Sequence, residues 1–263
     1  MKKILILGCS YTKGSYEYEY IGYGTTTIYP ERLKNHKGWW YFVDYFKDKD
    51  VTVIACPSLG YWAYYQLILF LNENKKLDYD EIWIQETYDE NRPSIFNYKV
   101  IEKIFRTPKE IISNFKVFFT GPTHLGCKIF TKGKRNFIVE EVQRDVMDKI
   151  EHNSALKFAS NIMPPEFIPY TVWKEFFIDV TYMCSEKIQL LCKKLNIKGY
   201  VWSMHESYMD CNHFTRLPLE NMREHLYNKN LLTGKNIPGL HQTEEGNKYI
   251  AKLIDDACID TKI

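Results

Sequence analysis

The chain has 263 residues, 45% hydrophobic and 26% charged, with a formal net charge of +2 and a pI near 8.0. That is the composition of a soluble globular protein long enough to bury a substantial core. The near-neutral balance gives no support to nucleic-acid binding, and no apolar run approaches the roughly 20 residues needed to span a bilayer.

Ile4-Leu5-Ile6-Leu7 reads as a short strand buried on both faces, the usual state of a strand in a parallel sheet. It stops at Gly8, and Ser10 follows in a turn-prone setting. A hydroxyl is thereby placed just past the C-terminal end of a first strand, where open α/β sheets bind ligands. Residues 14–30, rich in Tyr, Gly and Thr, read as an irregular exposed loop. Trp39, Phe42, Val43 and Phe46 recur at three- and four-residue spacing and predict a first helix over 39–46. A second buried strand covers 51–55; Cys56-Pro57-Ser58-Leu59-Gly60 breaks it, and 61–71 reads as an apolar helix.

Residues 81–85 make a third strand, 99–114 a helix in which Pro108 marks a break or a new start, and 116–120 a fourth strand. Gly121-Pro122-Thr123-His124 closes that strand at the same end of the sheet as Ser10. The pattern weakens over 125–170, an insertion with a helical stretch around 139–150 and a solvated basic loop at Lys132-Gly133-Lys134-Arg135. Residues 171–195 give the longest helix, on an apolar stripe that includes Phe176, Val180, Ile188 and Leu191. A fifth strand covers 198–203, a short helix 219–227, and Thr243-Glu244-Glu245 opens a final helix as a cap followed by two acids. Strands alternating with helices predict one domain over 1–263, a three-layer α/β/α sandwich around a five-stranded, mostly parallel sheet.

An aliphatic strand running into Gly8-Cys9-Ser10-Tyr11-Thr12, with His241-Gln242-Thr243-Glu244-Glu245-Gly246 ahead of the last helix, resembles the SGNH/GDSL hydrolases. The resemblance spans both termini and, more weakly, residues 55–92. It implies a flavodoxin-like fold with Ser10 as nucleophile and His241 as base. The family's first block is usually Gly-Asp-Ser, and Cys9 takes the Asp position. By the same resemblance, the backbone N–H groups of Ser10 and Gly60 would contribute to an oxyanion hole. The family's third block, usually Gly-x-Asn-Asp, has no match in Gln85-Glu86-Thr87-Tyr88-Asp89-Glu90-Asn91. Gln85, Thr87 and Asn91 can each donate a hydrogen bond there. The family's acid, three residues before the His, is Pro238 here. That leaves a Ser-His dyad supported by a backbone carbonyl, or an acid drawn from Glu206 or Asp210 at the end of the fifth strand. The Gly-Cys-Ser-Tyr-Thr block is also similar to that of phage and bacterial relatives, a setting that includes the virion.

The chemistry so implied is acyl transfer to water, with His241 taking the Ser10 proton and returning it to the departing alcohol. It calls for no cofactor and no metal, and Cys211 with His213 lacks the second ligand pair of a zinc site. The expected substrate is a small ester, such as an O-acetyl group on a glycan. Tyr11 and Trp62, with Tyr16, Tyr18, Tyr20 and Tyr23, are candidates to line a sugar-binding cleft, and His124 is a further site residue on its loop. A second class of reading is a binding module for carbohydrate or protein on the same scaffold, its acid and third block eroded. A third takes Gly8 to Gly14 as a phosphate loop, although no Gly-Lys-Ser/Thr follows. Seven Cys without framework spacing, and an N-terminal apolar run too short for a signal-peptide core, predict reduced thiols in the cytoplasm.

Overall fold

Alternate residues of the first strand, β1 (Lys3–Gly8), serve two different cores: Ile4 and Ile6 pack on one side, Leu5 and Leu7 on the other. That is the reason for its unbroken aliphatic run, since neither face meets water. The computed structural model describes residues 1–13, 37–55, 60–86, 94–95, 110–119, 127–132, 136–140, 170–205, 210–232 and 242–261. β1 pairs in parallel with β2 (Asp50–Ala55) on one side and β3 (Glu81–Glu86) on the other. Beyond β3 come β9 (Lys198–Ser203) and β10 (Phe214–Arg216), both parallel. Beyond β2 lies β6 (Phe115–Phe119), and β5 (Glu110–Ile112) closes that edge antiparallel. The winding therefore reverses at β1, which makes the C-terminal ends of β1 and β3 the crevice where such sheets take ligands.

Helices cover both faces. One core holds α2 (Trp39–Phe42), the 3₁₀ turn Asp44–Phe46, α5 (Met222–Asn228) and α6 (Glu244–Asp260); Trp39, Trp40, Leu226, Ile250 and Ile254 are fully buried there. The other holds α3 (Tyr61–Glu73) and α4 (Tyr170–Lys194), through Leu67, Ile68, Ile188 and Cys192. Cys192 behaves as a small hydrophobe; burial pushes its thiol up to about 12. The expected cap on the last helix is present, with the Thr243 hydroxyl accepting from the Gly246 N–H at 3.1 Å. At the N-terminal edge of the sheet, away from the crevice, buried Glu81 accepts from Tyr45 Oη at 2.8 Å, from Trp83 Nε1 at 3.0 Å and from Lys2.

The sheet has seven strands, not the five expected. β10 has three residues, too few for a period to show. β5 falls where a helix over 99–114 was expected: Glu110-Ile111-Ile112 turns at Ser113, held at φ 55°, and zips back along β6. Two adjacent β-branched residues favour the pleated edge. In the 125–170 insertion, β7 (Cys127–Lys132) and β8 (Asn136–Glu140) form an antiparallel pair joined by β4 (Ser94–Ile95) into a separate sheet. Val139 is thus a strand residue, and 141–150 lie outside the described residues. The first helix breaks at Val43, whose extended backbone (φ −70°, ψ 119°) separates α2 from the 3₁₀ turn. Among the described residues no helix is long and apolar enough to cross a membrane.

Candidate functional site

The turn that follows β1, which starts α1 (Ser10–Lys13), is gripped from three directions. From β3, the Gln85 side-chain oxygen accepts from the Thr12 hydroxyl at 3.0 Å, the Cys9 thiol at 3.2 Å and the Cys9 N–H at 3.4 Å. These donors fix which way the Gln85 carboxamide points, and its nitrogen donates to the Glu86 carbonyl at 2.6 Å. From α2, Trp40 Nε1 donates to the Thr12 carbonyl at 2.8 Å and Trp39 Nε1 to the Thr12 hydroxyl at 3.3 Å. The third grip comes from the far end of the chain: Gln242 Nε2 donates to the Tyr11 carbonyl and, at 3.0 Å, to Asn247 Oδ1. Gln242 is fully buried. A Cβ on Gly8 would sit 1.8 Å from Thr12 Oγ1, so the missing side chain makes room for Thr12.

Beside this turn is a cavity of about 410 Å³ between the end of β9 and α5. Met204 and His205 line it from the end of β9, Asn221, Arg223, Glu224 and Tyr227 from α5 and its cap, and Leu232 from the segment beyond. The backbone stitches these parts together, with Arg223 N–H donating to the Met204 carbonyl at 2.9 Å and Asn221 N–H to the His205 carbonyl at 3.3 Å. The His205 ring meets the Tyr11 ring edge-on, centroids 6.5 Å apart, and Leu232 forms a β-bridge with Gln242. Burial, with a contribution from the Arg223 charge, holds the His205 imidazole below its ordinary value near 6.5. The unfolded chain therefore binds the proton first on acidification. Stability contributed by uncharged His205 is intact above pH 6.5 and declines as pH falls below it towards the depressed folded value. Thermal unfolding between pH 8 and pH 5 should show a fall in Tm below about pH 6.5 that is shallower in His205→Gln; equal slopes would mean the ring is solvated.

A second polar cluster closes the crevice on the α3 side. Glu86, the last residue of β3, is buried and paired bidentately with Arg216 of β10 at 2.7 and 3.3 Å. It also accepts from the Tyr61 hydroxyl at 2.7 Å. Arg216 reaches on to Cys211 Sγ at 3.1 Å. Burial works against the Arg216 charge, but hydrogen bonding and attraction from Glu86 hold the guanidinium firmly protonated. Burial and then the Glu86 charge push the Tyr61 phenol well above its usual range. Tyr61 opens α3 directly after its cap residue, Gly60, so this ion pair fixes where Gly60 sits against the end of β3.

No protein-family model, no curated protein and no solved structure matches the chain.

Ser10 lies at the C-terminal end of the central strand, as expected. His241, Thr87, Asn91, Glu206 and His124 lie outside the described residues, as do Tyr16, Tyr18, Tyr20 and Tyr23. Gly60 is buried at φ −136°, an extended conformation open to any residue, so the turn into α3 does not by itself demand glycine. Gln85 directs its oxygen to the β1 turn, with its nitrogen on the Glu86 carbonyl. Asp210 is exposed, and its backbone carbonyl accepts from Gln189 Nε2 at 2.9 Å. Tyr11 is buried against His205, while Trp62 packs half-buried on the α3 side. No group of three His, Cys, Asp or Glu side chains able to hold a metal occurs among the described residues. The ties through Glu86, Arg216 and Gln242 were not anticipated; an acid ending an apolar strand was the one visible signal, at Glu86.

Proposed function

We propose that the chain is a serine acyl hydrolase of the SGNH type. Ser10 attacks an ester carbonyl while His241 takes its proton; the alkoxide leaves with that proton, and water repeats the sequence on the acyl-enzyme. The oxyanion rests on the N–H groups of Ser10 and Gly60, with Thr87 or Asn91 as the remaining side-chain donor, because the Gln85 carboxamide is held with its oxygen on the β1 turn and its donor nitrogen on the Glu86 carbonyl. The observation that carries the reading is the bond from Gln242 to the Tyr11 carbonyl. Gln242 follows His241 and Tyr11 follows Ser10, so a nucleophile from the first turn and a base from the last connection have neighbours in direct contact. The winding reversal at β1 supports it independently, since ligand chemistry in open sheets gathers there. Treating the protein with an activated phosphonate and mapping the adduct tests the reading. Labelling at Ser10 that disappears in Ser10→Ala is expected; labelling elsewhere, or none, overturns it.

Pro238 in the acid position favours a second reading, a binding module on the same scaffold. That reading expects ligand binding to survive Ser10→Ala and no phosphonate adduct at Ser10.

A further inference from the structure

We propose that the cavity between the end of β9 and α5 is a subsite for a neutral sugar ring, placed to present an ester on that sugar to Ser10. As a substrate subsite this rests on the hydrolase reading; as a binding site it does not. Position is the first argument. The cavity shares His205 with the ring of Tyr11, next to Ser10, and Leu232 with the bridge to Gln242, next to His241. A ligand held there meets residues that contact the chain neighbours of both proposed catalytic positions. Its volume, about 410 Å³, falls among small-molecule pockets.

The chemistry of the walls selects the ligand. Arg223 offers only donors, Glu224 only acceptors, while Asn221 and uncharged His205 offer both. A ring of hydroxyls, each donor and acceptor at once, matches that mixture. Arg223 makes no ion pair among the described residues, and Glu224 beside it offsets its charge, so an anionic ligand gains little and meets a carboxylate. A wholly apolar ligand would strip water from these polar groups and return no hydrogen bond. Tyr227 completes the match: 59% exposed, its ring is available to the C–H face of a pyranose with its hydroxyl still in water.

The test is an array of neutral and acidic oligosaccharides probed with the full chain carrying Ser10→Ala, which prevents turnover. Calorimetric titration of the best neutral glycan then compares Tyr227→Ala and Glu224→Gln, both at exposed positions where folding is tolerant. Retention of neutral glycans is expected, weakened about tenfold by either substitution at unchanged Tm, the size of one lost ligand contact. No neutral glycan bound at millimolar concentration, binding of acidic glycans alone, or neutral binding indifferent to both substitutions would each overturn the proposal. Phosphonate labelling of Ser10 is read separately. Glycan binding without an adduct sinks the hydrolase and leaves the sugar site; an adduct without glycan binding does the reverse.

Discussion

Glu86→Gln should lower the free energy of unfolding by about 3 kcal/mol, the scale of removing one partner from a buried ion pair. The carboxylate is 4% exposed and the guanidinium of Arg216 21%, so the charge left behind has only a narrow route to water. Glutamine keeps the shape and can still accept from Tyr61, which confines the loss to the charge pairing. Chemical denaturation followed by tryptophan fluorescence reads it directly, because Trp39, Trp83 and Trp202 all lie in one core. Adding Arg216→Met to Glu86→Gln should recover much of the loss, since it removes the guanidinium charge that the first substitution leaves buried without its counter-charge. A loss below about 1 kcal/mol would mean the pair behaves as a surface salt bridge. The substitution also loosens Tyr61, and through it Gly60, so phosphonate labelling of Ser10 should slow more than the drop in stability accounts for.

The parts of the fold legible in the sequence are those where one physical signal dominates. The Ile4–Leu7 run could only be a strand covered on both faces, and Thr243 ahead of two acids could only open a helix. β10 and β5 were illegible because three residues carry no period; each is a strand only because a neighbour was there to pair with. The site divides the same way. The position of Ser10 follows from strand length and a glycine, both local. Gln85, Glu86 and Gln242 act through bonds to residues 76, 130 and 231 positions away, and nothing in their own neighbourhoods announces it. A polar residue at the end of a strand resembles an exit to solvent. By sequence Gln85 is only one of three candidate donors, with Thr87 and Asn91, and nothing in its sequence setting shows that its oxygen collects three donors from the β1 turn.

Gln242→Glu is expected to destabilise the protein by about 3–5 kcal/mol at pH 8, although it changes one atom. Both hydrogen bonds that this side chain makes among the described residues are donated by its nitrogen, to the Tyr11 carbonyl and Asn247 Oδ1; its oxygen has no partner among them. Exchanging that nitrogen for oxygen aims a carboxylate at two acceptors in a site with no exposed surface. Burial then raises the pKa of the new carboxyl above its unfolded value, so the folded state holds the extra proton and the penalty grows as pH climbs. The loss should accordingly shrink at pH 5, where a protonated carboxyl can still donate once. Gln242→Met separates the effects: it forfeits the bonds without the charge, at about 1–3 kcal/mol with little pH dependence. Denaturation curves at the two pH values should rank wild type above Gln242→Met and that above Gln242→Glu, with the two variants converging in acid. If Gln242→Glu proved as stable as wild type at pH 8, the first turn and the last connection would not be tied by this side chain. If the ranking held while Ser10 stayed inert to the phosphonate, the tie would be architecture alone, and joining the two ends would not suffice to make a nucleophile.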